Sequence, residues 1–225
     1  MSLNNKKYKI SASLMCADPY LFQESLKTLQ DGGIDYLHMD VMDGHFVQNY
    51  GLSIDFCKKI RQHTALPFDF HLMVEEPQKL IPRLDLQEGD IVSIHYESTY
   101  YIKETLDLLK QYKSKLFVAL RPETPIIILD TILDYIDGVN FLTVNPGFAG
   151  QKLVPSTIQK AQKLIPYFKE RGKENLDFEA DGNMSYENIA RFKKFGANIF
   201  VLGTSSVFND NMKNSIQRVK QILQN

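Results

Sequence analysis

The sequence predicts an α/β fold, a closed (β/α)8 barrel that takes up residues 1–225 as one domain. Three observations carry that expectation. Apolar runs of strand length alternate with segments of helical periodicity about eight times, and no low-complexity linker interrupts them. Such alternation builds βαβ units and a parallel sheet. No Gly-x-Gly-x-x-Gly follows the first strand, which argues against an open doubly wound sheet. Residues able to do chemistry gather at the C-terminal ends of the strands, where barrels carry their sites.

Each element has its own reason. Residues 8–14 alternate and read as the first strand. Residues 19–30 carry Leu21, Phe22, Leu26 and Leu29 at helical spacing and stop at Gly32-Gly33. The second strand is 36–42, and a helix with Ile54, Cys57 and Ile60 on one face covers 53–63. The third strand is 68–74; Pro77 then reads as the first turn of a helix. The fourth strand, 91–97, precedes a helix over 101–112. The fifth, 116–121, precedes a short helix over 126–135. The sixth, 139–145, leads through the loop 146–151 into a longer helix over 155–171. The seventh strand is 176–181 with a helix over 186–195, and the eighth is 199–203 with a last helix over 214–224.

Composition narrows the function. The 225 residues are 44% hydrophobic and 24% charged, which suits a chain with a sizeable core. Net charge is -1 and the pI about 6.5, so no basic face points to nucleic acid. No run of 18 apolar residues would span a membrane, and residues 1–7 lack the apolar stretch of a signal peptide. Cys16 and Cys57 are too few for a disulfide scaffold and fit a reducing cytoplasm. A homo-oligomer is expected.

The chemistry centres on His38-Met39-Asp40-Val41-Met42-Asp43-Gly44-His45-Phe46, a strand running into a loop. Alternation puts His38, Asp40 and Met42 on one face and Met39 and Val41 on the other. His71 on strand three and Asp181 on strand seven complete a set of two histidines and two aspartates. Such a set can ligate a divalent metal: Zn, Fe, Mn or Co. A core histidine is the plain alternative for His71 taken alone.

Strands two and seven stand three places apart in a ring of eight. Aspartates there can flank a small substrate, which suits inversion at a carbon next to a carbonyl. One carboxylate takes a proton from one face, the other returns a proton to the opposite face, and the ion stabilises the enediolate between. The two must hold different protonation states.

The loops after strands seven and eight read Asp181-Gly182-Asn183-Met184-Ser185 and Gly203-Thr204-Ser205-Ser206. Glycine permits close backbone approach and free N–H groups attract an anion, so these loops are expected to hold phosphate. Either could otherwise be an ordinary turn. The loop 146–151 could be a lid that keeps water out, or a plain surface turn. Asp43-Gly44 is a turn pair, so Asp43 reads as structural. His95 either supports the site from behind or fills the barrel. Met42 and Met73 could wall the site with dry, polarisable surface.

Several motifs together resemble the ribulose-phosphate 3-epimerase family. They are Ser11-Ala12-Ser13-Leu14-Met15, His38 through Val47, His71-Leu72-Met73-Val74, Val144 through Gln151, and Asp181-Gly182. The resemblance implies a metal-dependent barrel that interconverts ketose phosphates differing at C3, with a sugar phosphate as its small-molecule partner. It also implies His38, Asp40, His71 and Asp181 as metal ligands, with Asp40 and Asp181 as the acid/base pair. Ser13 and His71 would contact substrate, as would Gly147, Phe148, Ala149 and Gly150 of a closing loop. Gly182, Asn183, Gly203, Thr204 and Ser205 would take the phosphate end.

Leu14-Met15-Cys16, the Gly147–Gln151 stretch, and Gly203-Thr204-Ser205 with Phe208-Asn209 lean towards the D-allulose-6-phosphate branch. D-ribulose 5-phosphate is the alternative substrate. The chain departs from the family pattern at Gln48, Leu142 and Asn183, which bears on phosphate reach and substrate length. A Schiff-base aldolase would need a lysine at the C-terminal end of an inner strand, and Lys115 stands at the start of one. A non-catalytic phosphosugar-binding barrel would be expected to have lost an aspartate or a metal ligand, and none is lost.

Overall fold

The computed structural model describes residues 7–208 and 211–225. Asn209 and nearly all of the N-terminal stretch lie outside the described residues. Eight strands form the barrel: β1 (Lys9–Ser13), β2 (Tyr36–Met42), β3 (Phe68–Met73), β4 (Ile91–His95), β5 (Lys115–Leu120), β6 (Gly138–Leu142), β7 (Asp177–Asp181) and β8 (Ile199–Leu202). Every strand pairs in parallel with the next, and β8 returns to β1, so the sheet has no open edge. The helices are α1 (Phe22–Asp31), α2 (Ile54–Arg61), α3 (Ile102–Leu109), α4 (Ser156–Glu170), α5 (Tyr186–Lys194) and α6 (Met212–Gln224).

Two expected helices are absent among the described residues. After β3 the chain makes 3-10 turns at Pro77–Lys79 and Ile81–Arg83. Pro82 has no N–H to give to a second turn, and its ring clashes with the turn before it. Pro77 therefore opens a turn and not a helix. After β5 the chain makes 3-10 turns at Ile126–Thr131 and Leu133–Tyr135. Three successive β-branched isoleucines following Pro125 carry little intrinsic preference for an α-helix.

The alternation along each strand divides the core in two. Met39, Val41, Phe70, Leu72, Ile94, Val118, Phe141, Phe178 and Phe200 face outward and pack with the helices in one cluster. Tyr36, Ile91, Phe117 and Ile199 form a separate cluster inside the barrel, near the N-terminal ends of the strands. Gly138 makes room for it: a Cβ there would sit 2.5 Å from Phe117 Cζ.

Beyond this plug the interior turns polar. Ser11, His38, Asp69, Ser93, Asn140 and Glu179 are all fully buried. Burying polar groups costs stability unless they find partners, so a polar interior is a sign of use.

Candidate active site

Three strands bring the expected ligands together. His38 Nε2 lies 3.4 Å from Asp40 Oδ1 and 3.8 Å from Asp181 Oδ2. His71 Nδ1 lies 3.4 Å from both Asp40 Oδ1 and Asp181 Oδ2. One ligand atom from each of His38, His71 and Asp181 falls within 4.8 Å of the others. His38 Nε2 and His71 Nδ1 are buried with no hydrogen-bond partner. Two bare imidazole nitrogens facing two carboxylates form a donor set that fits a divalent cation.

The other edge of each imidazole is held. His38 Nδ1 meets Asp69 Oδ2 at 2.6 Å, and the same oxygen accepts from Ser11 Oγ at 2.7 Å. His71 Nε2 meets His95 Nε2 at 2.9 Å. Ser13 Oγ donates to Asp40 Oδ2 at 2.7 Å, leaving Oδ1 to face the histidines. Ser13 also lines the pocket, where a substrate would meet it.

The electrostatics follow from this packing. Burial alone would push the imidazoles towards their neutral forms. For His38, Asp69 and Asp40 outweigh that and hold it well above the usual imidazole range. For His71, hydrogen bonding to Asp181 and Asp40 also outweighs burial and raises it above the usual value. Burial raises Asp40 too, and the charge and hydrogen bonds of His38 and His71 bring it below the ordinary carboxylate range. A site whose field draws protons onto histidine draws a divalent cation for the same reason.

Asp69 and Glu179 complete the base of the site. Asp69 stays ionised beside His38 despite burial. Burial and the neighbouring Asp69 push Glu179 well above its ordinary value, towards the protonated acid. Sequence reasoning passed over both. Each stands two residues before a named ligand, Asp69 before His71 and Glu179 before Asp181, so alternation alone puts them on the same inward face.

The pocket above is walled by Met15, Met42, Met73, Leu142 and Val144. Met42 and Met73 pack together with Val47, as a dry wall requires. Gly147, Phe148, Ala149 and Gly150 line the opposite side with Gly182, Asn183, Gly203, Thr204 and Ser205. This second side is tied by backbone and amide bonds. Asn49 Nδ2 donates to Gly147 O at 2.7 Å. Asn183 Nδ2 donates to Gln151 O at 2.8 Å and to Ser205 Oγ at 3.3 Å. Gly182 stands at φ +94, and a Cβ there would sit 2.6 Å from Val144 Cγ2, so the close turn needs glycine. Asn183 at φ 48 is in the left-handed region that asparagine tolerates. Ser185 caps α5 by accepting Asn188 N–H at 3.2 Å, which fixes the start of that helix just beyond the same loops.

Residues outside this constellation also find their places. Asp43 accepts backbone N–H bonds from His45, Phe46 and Glu75 at 2.8–2.9 Å and shapes the loop after β2. His45 is exposed. Lys115 sits at the far end of the barrel, paired with Asp177 at 2.6 Å. Burial lowers Lys160 to about 8, yet its ammonium donates to the carbonyls of Arg121, Pro122 and Thr124, so it offers the pocket no nucleophilic amine.

Two carboxylates and two imidazoles converging at the C-terminal mouth of a closed parallel barrel define a barrel with groups placed to hold a divalent cation. Residues 9–208 match the ribulose-phosphate 3-epimerase family. The ribulose-phosphate 3-epimerase of Bacillus subtilis (strain 168) is 35% identical over 212 residues, spanning 94% of this chain and 98% of that protein. The ribulose-phosphate 3-epimerase of Aquifex aeolicus (strain VF5) is 32% identical over 214 residues, spanning 95% and 96%. The chain therefore belongs to the ribulose-phosphate 3-epimerase family and is an isomerase. Among solved structures, 3-hexulose-6-phosphate synthase from Salmonella typhimurium superposes with TM-score 0.69 at 12% identity over 96% of this chain and 98% of that one. Phosphoribosyl anthranilate isomerase from Thermus thermophilus gives 0.64 at 12% over 96% and 98%. At such identities the likeness shows the fold alone. No helix among the described residues is long and apolar enough to cross a membrane.

Proposed function

We propose that this chain inverts C3 of a ketose phosphate, interconverting D-ribulose 5-phosphate and D-xylulose 5-phosphate, with Asp40 and Asp181 as the acid/base pair. One observation carries the proposal: both carboxylates reach the same imidazole nitrogen, His71 Nδ1, at 3.4 Å. A substrate bound over that point would meet both carboxylates.

His38, His71, Asp40 and Asp181 would hold the cation. When bound, it supplies Lewis-acid polarisation of the substrate oxygens. The protein groups do the rest. One aspartate takes the proton from C3, giving an enediolate. The other aspartate, protonated beforehand, delivers a proton to the opposite face of C3. Ser13 orients Asp40 by binding its outer oxygen. The methionine wall and the 146–151 loop keep water from the enediolate. Gly182, Asn183, Gly203, Thr204 and Ser205 take the phosphate through backbone N–H groups and short side chains.

The relatives' names turn the substrate preference away from D-allulose 6-phosphate and towards ribulose 5-phosphate. D-Allulose 6-phosphate stays as a second reading on a specific observation. Asn183 puts a side chain among the phosphate loops and spans from Gln151 to Ser205, a change where a longer substrate would have to be accommodated. Comparing kcat/KM for the two ketose phosphates, in metal-replete protein, decides between them. Higher efficiency with ribulose 5-phosphate is expected. The reverse order would install the second reading, and turnover of neither would remove both.

A further inference from the structure

We propose that His95 and Glu97 are positioning residues that fix the proton of His71 on Nε2, so that Nδ1 faces the two aspartates as a lone pair. This rests on the cation reading of the site above, and takes it one step outward.

The geometry starts at Glu97. Its Oε1 accepts from the Thr124 hydroxyl and from Arg121 N–H at 3.3 Å, which hold it as a carboxylate. Its Oε2 lies 3.3 Å from His95 Nδ1. A carboxylate only accepts, so the proton of neutral His95 belongs on Nδ1. His95 Nε2 is then a lone pair. It meets His71 Nε2 at 2.9 Å, a distance at which one nitrogen must donate, so His71 carries its proton there. In the neutral imidazole His71 Nδ1 is then the bare nitrogen, and it is buried without a hydrogen-bond partner.

The opposite arrangement is electrostatically poor. With His71 protonated on Nδ1, His95 would have to donate from Nε2, and its Nδ1 lone pair would face the Glu97 carboxylate. The ring geometry also fits a hydrogen bond. The two imidazole planes are only 27° apart and their centroids are 5.0 Å apart, so the rings meet edge to edge instead of lying face on face. His95 cannot swing away. It is fully buried, and Phe46 covers it at 4.7 Å beneath the Arg121 guanidinium, whose Nη2 donates to Phe46 O at 3.2 Å. His38 obtains the same outcome by a shorter route, with Asp69 directly on its Nδ1. An outer partner that fixes a ligating histidine is worth about 10–100-fold in metal affinity.

The test uses the full chain with 15N-labelled histidine, stripped with a chelator and then loaded with Zn2+. Long-range proton–nitrogen correlation reports each tautomer directly. In the Zn2+-loaded protein His71 is expected as Nε2–H and His95 as Nδ1–H. A proton on His71 Nδ1, or on His95 Nε2, overturns the proposal.

Co2+ titration followed by visible absorption supplies a second readout. His95→Phe fills the ring's volume but accepts nothing, and is expected to weaken Co2+ binding about 10–100-fold. His95→Gln offers an amide oxygen and is expected to recover most of that loss. A mere packing role would give the reverse order, with phenylalanine tolerated and glutamine not. Unchanged Co2+ affinity in a folded His95→Phe overturns the positioning role alone. Failure of the unsubstituted chain to bind Co2+ overturns the cation reading beneath it.

Discussion

The two halves of the barrel mouth are built from different materials. On the β2, β3, β4 and β7 side the site consists of side chains that are buried, charged and held from behind by further polar groups. On the side of the loops after β6, β7 and β8 it consists of glycines, backbone N–H groups and amide cross-ties. The first half can place lone pairs and protons at fixed points because its groups sit on strands. The second can wrap an anion and move, because its groups sit on loops. Proton transfer needs the former, and capture of a phosphate the latter.

The largest expected effect falls on the first half. Asp181→Asn keeps the shape and removes a proton acceptor, and should cut turnover by about 10²–10⁴-fold while leaving the circular dichroism spectrum and melting temperature close to the parent's. Substantial residual activity in that variant would break the assignment. Chelation should likewise stop turnover, and one of Zn2+, Mn2+, Co2+ or Fe2+ should restore it. An enzyme indifferent to chelator would remove the cation from the account.

On the second half a single methyl group is enough. Gly182→Ala forces a side chain into φ +94 and against Val144 Cγ2 at 2.6 Å. We expect about 1–3 kcal/mol of lost stability and a raised KM for the sugar phosphate, read by thermal melts and steady-state kinetics. A variant with parental KM would show that this turn does not meet the phosphate.

A smaller effect separates the buried half from bulk water. Burial lowers His95 to about 4, below its usual 6.5, so between those pH values this side chain is protonated in the unfolded chain and neutral in the folded one. The stabilisation is complete above pH 6.5 and is lost as pH falls towards 4. In chelator His38 and His71, both held above 6.5, add a limb of opposite sign, so the His95 contribution is read as the difference in urea titrations between the parent and His95→Gln, which takes up no proton: the parent should lose stability relative to the variant as pH falls from 6.5 towards 4. A difference that does not change with pH would assign the protons elsewhere.

The same division explains what could be read from the sequence. The barrel was legible because strand and helix periodicities alternate along the whole chain. His38, Asp40, His71 and Asp181 were legible because imidazole and carboxylate side chains at strand ends have few other reasons to be there. Asp69 and Glu179 obey the same two-residue spacing, but they lie deeper, flanked by apolar neighbours, and only the closed ring shows that they meet. The loop side proposed for phosphate has no such letters: a backbone N–H belongs to every residue except proline, and only Gly182 and Gly203 hint at it. The turns after β3 depend on Pro82, which removes a helix hydrogen bond and clashes with the preceding turn of a helix begun at Pro77. His95 could equally fill a barrel or support a ligand until its 2.9 Å contact with His71 is seen.

The central claim is that two aspartates on opposite flanks of one cation exchange protons at C3 of a ketose phosphate. Incubating the metal-loaded protein in D2O with D-ribulose 5-phosphate, and separately with D-allulose 6-phosphate, tests it most directly. Deuterium should enter at C3 and at no other carbon of the substrate turned over, detected by proton NMR. Epimer formation without deuterium at C3, or no exchange with either sugar, would contradict it.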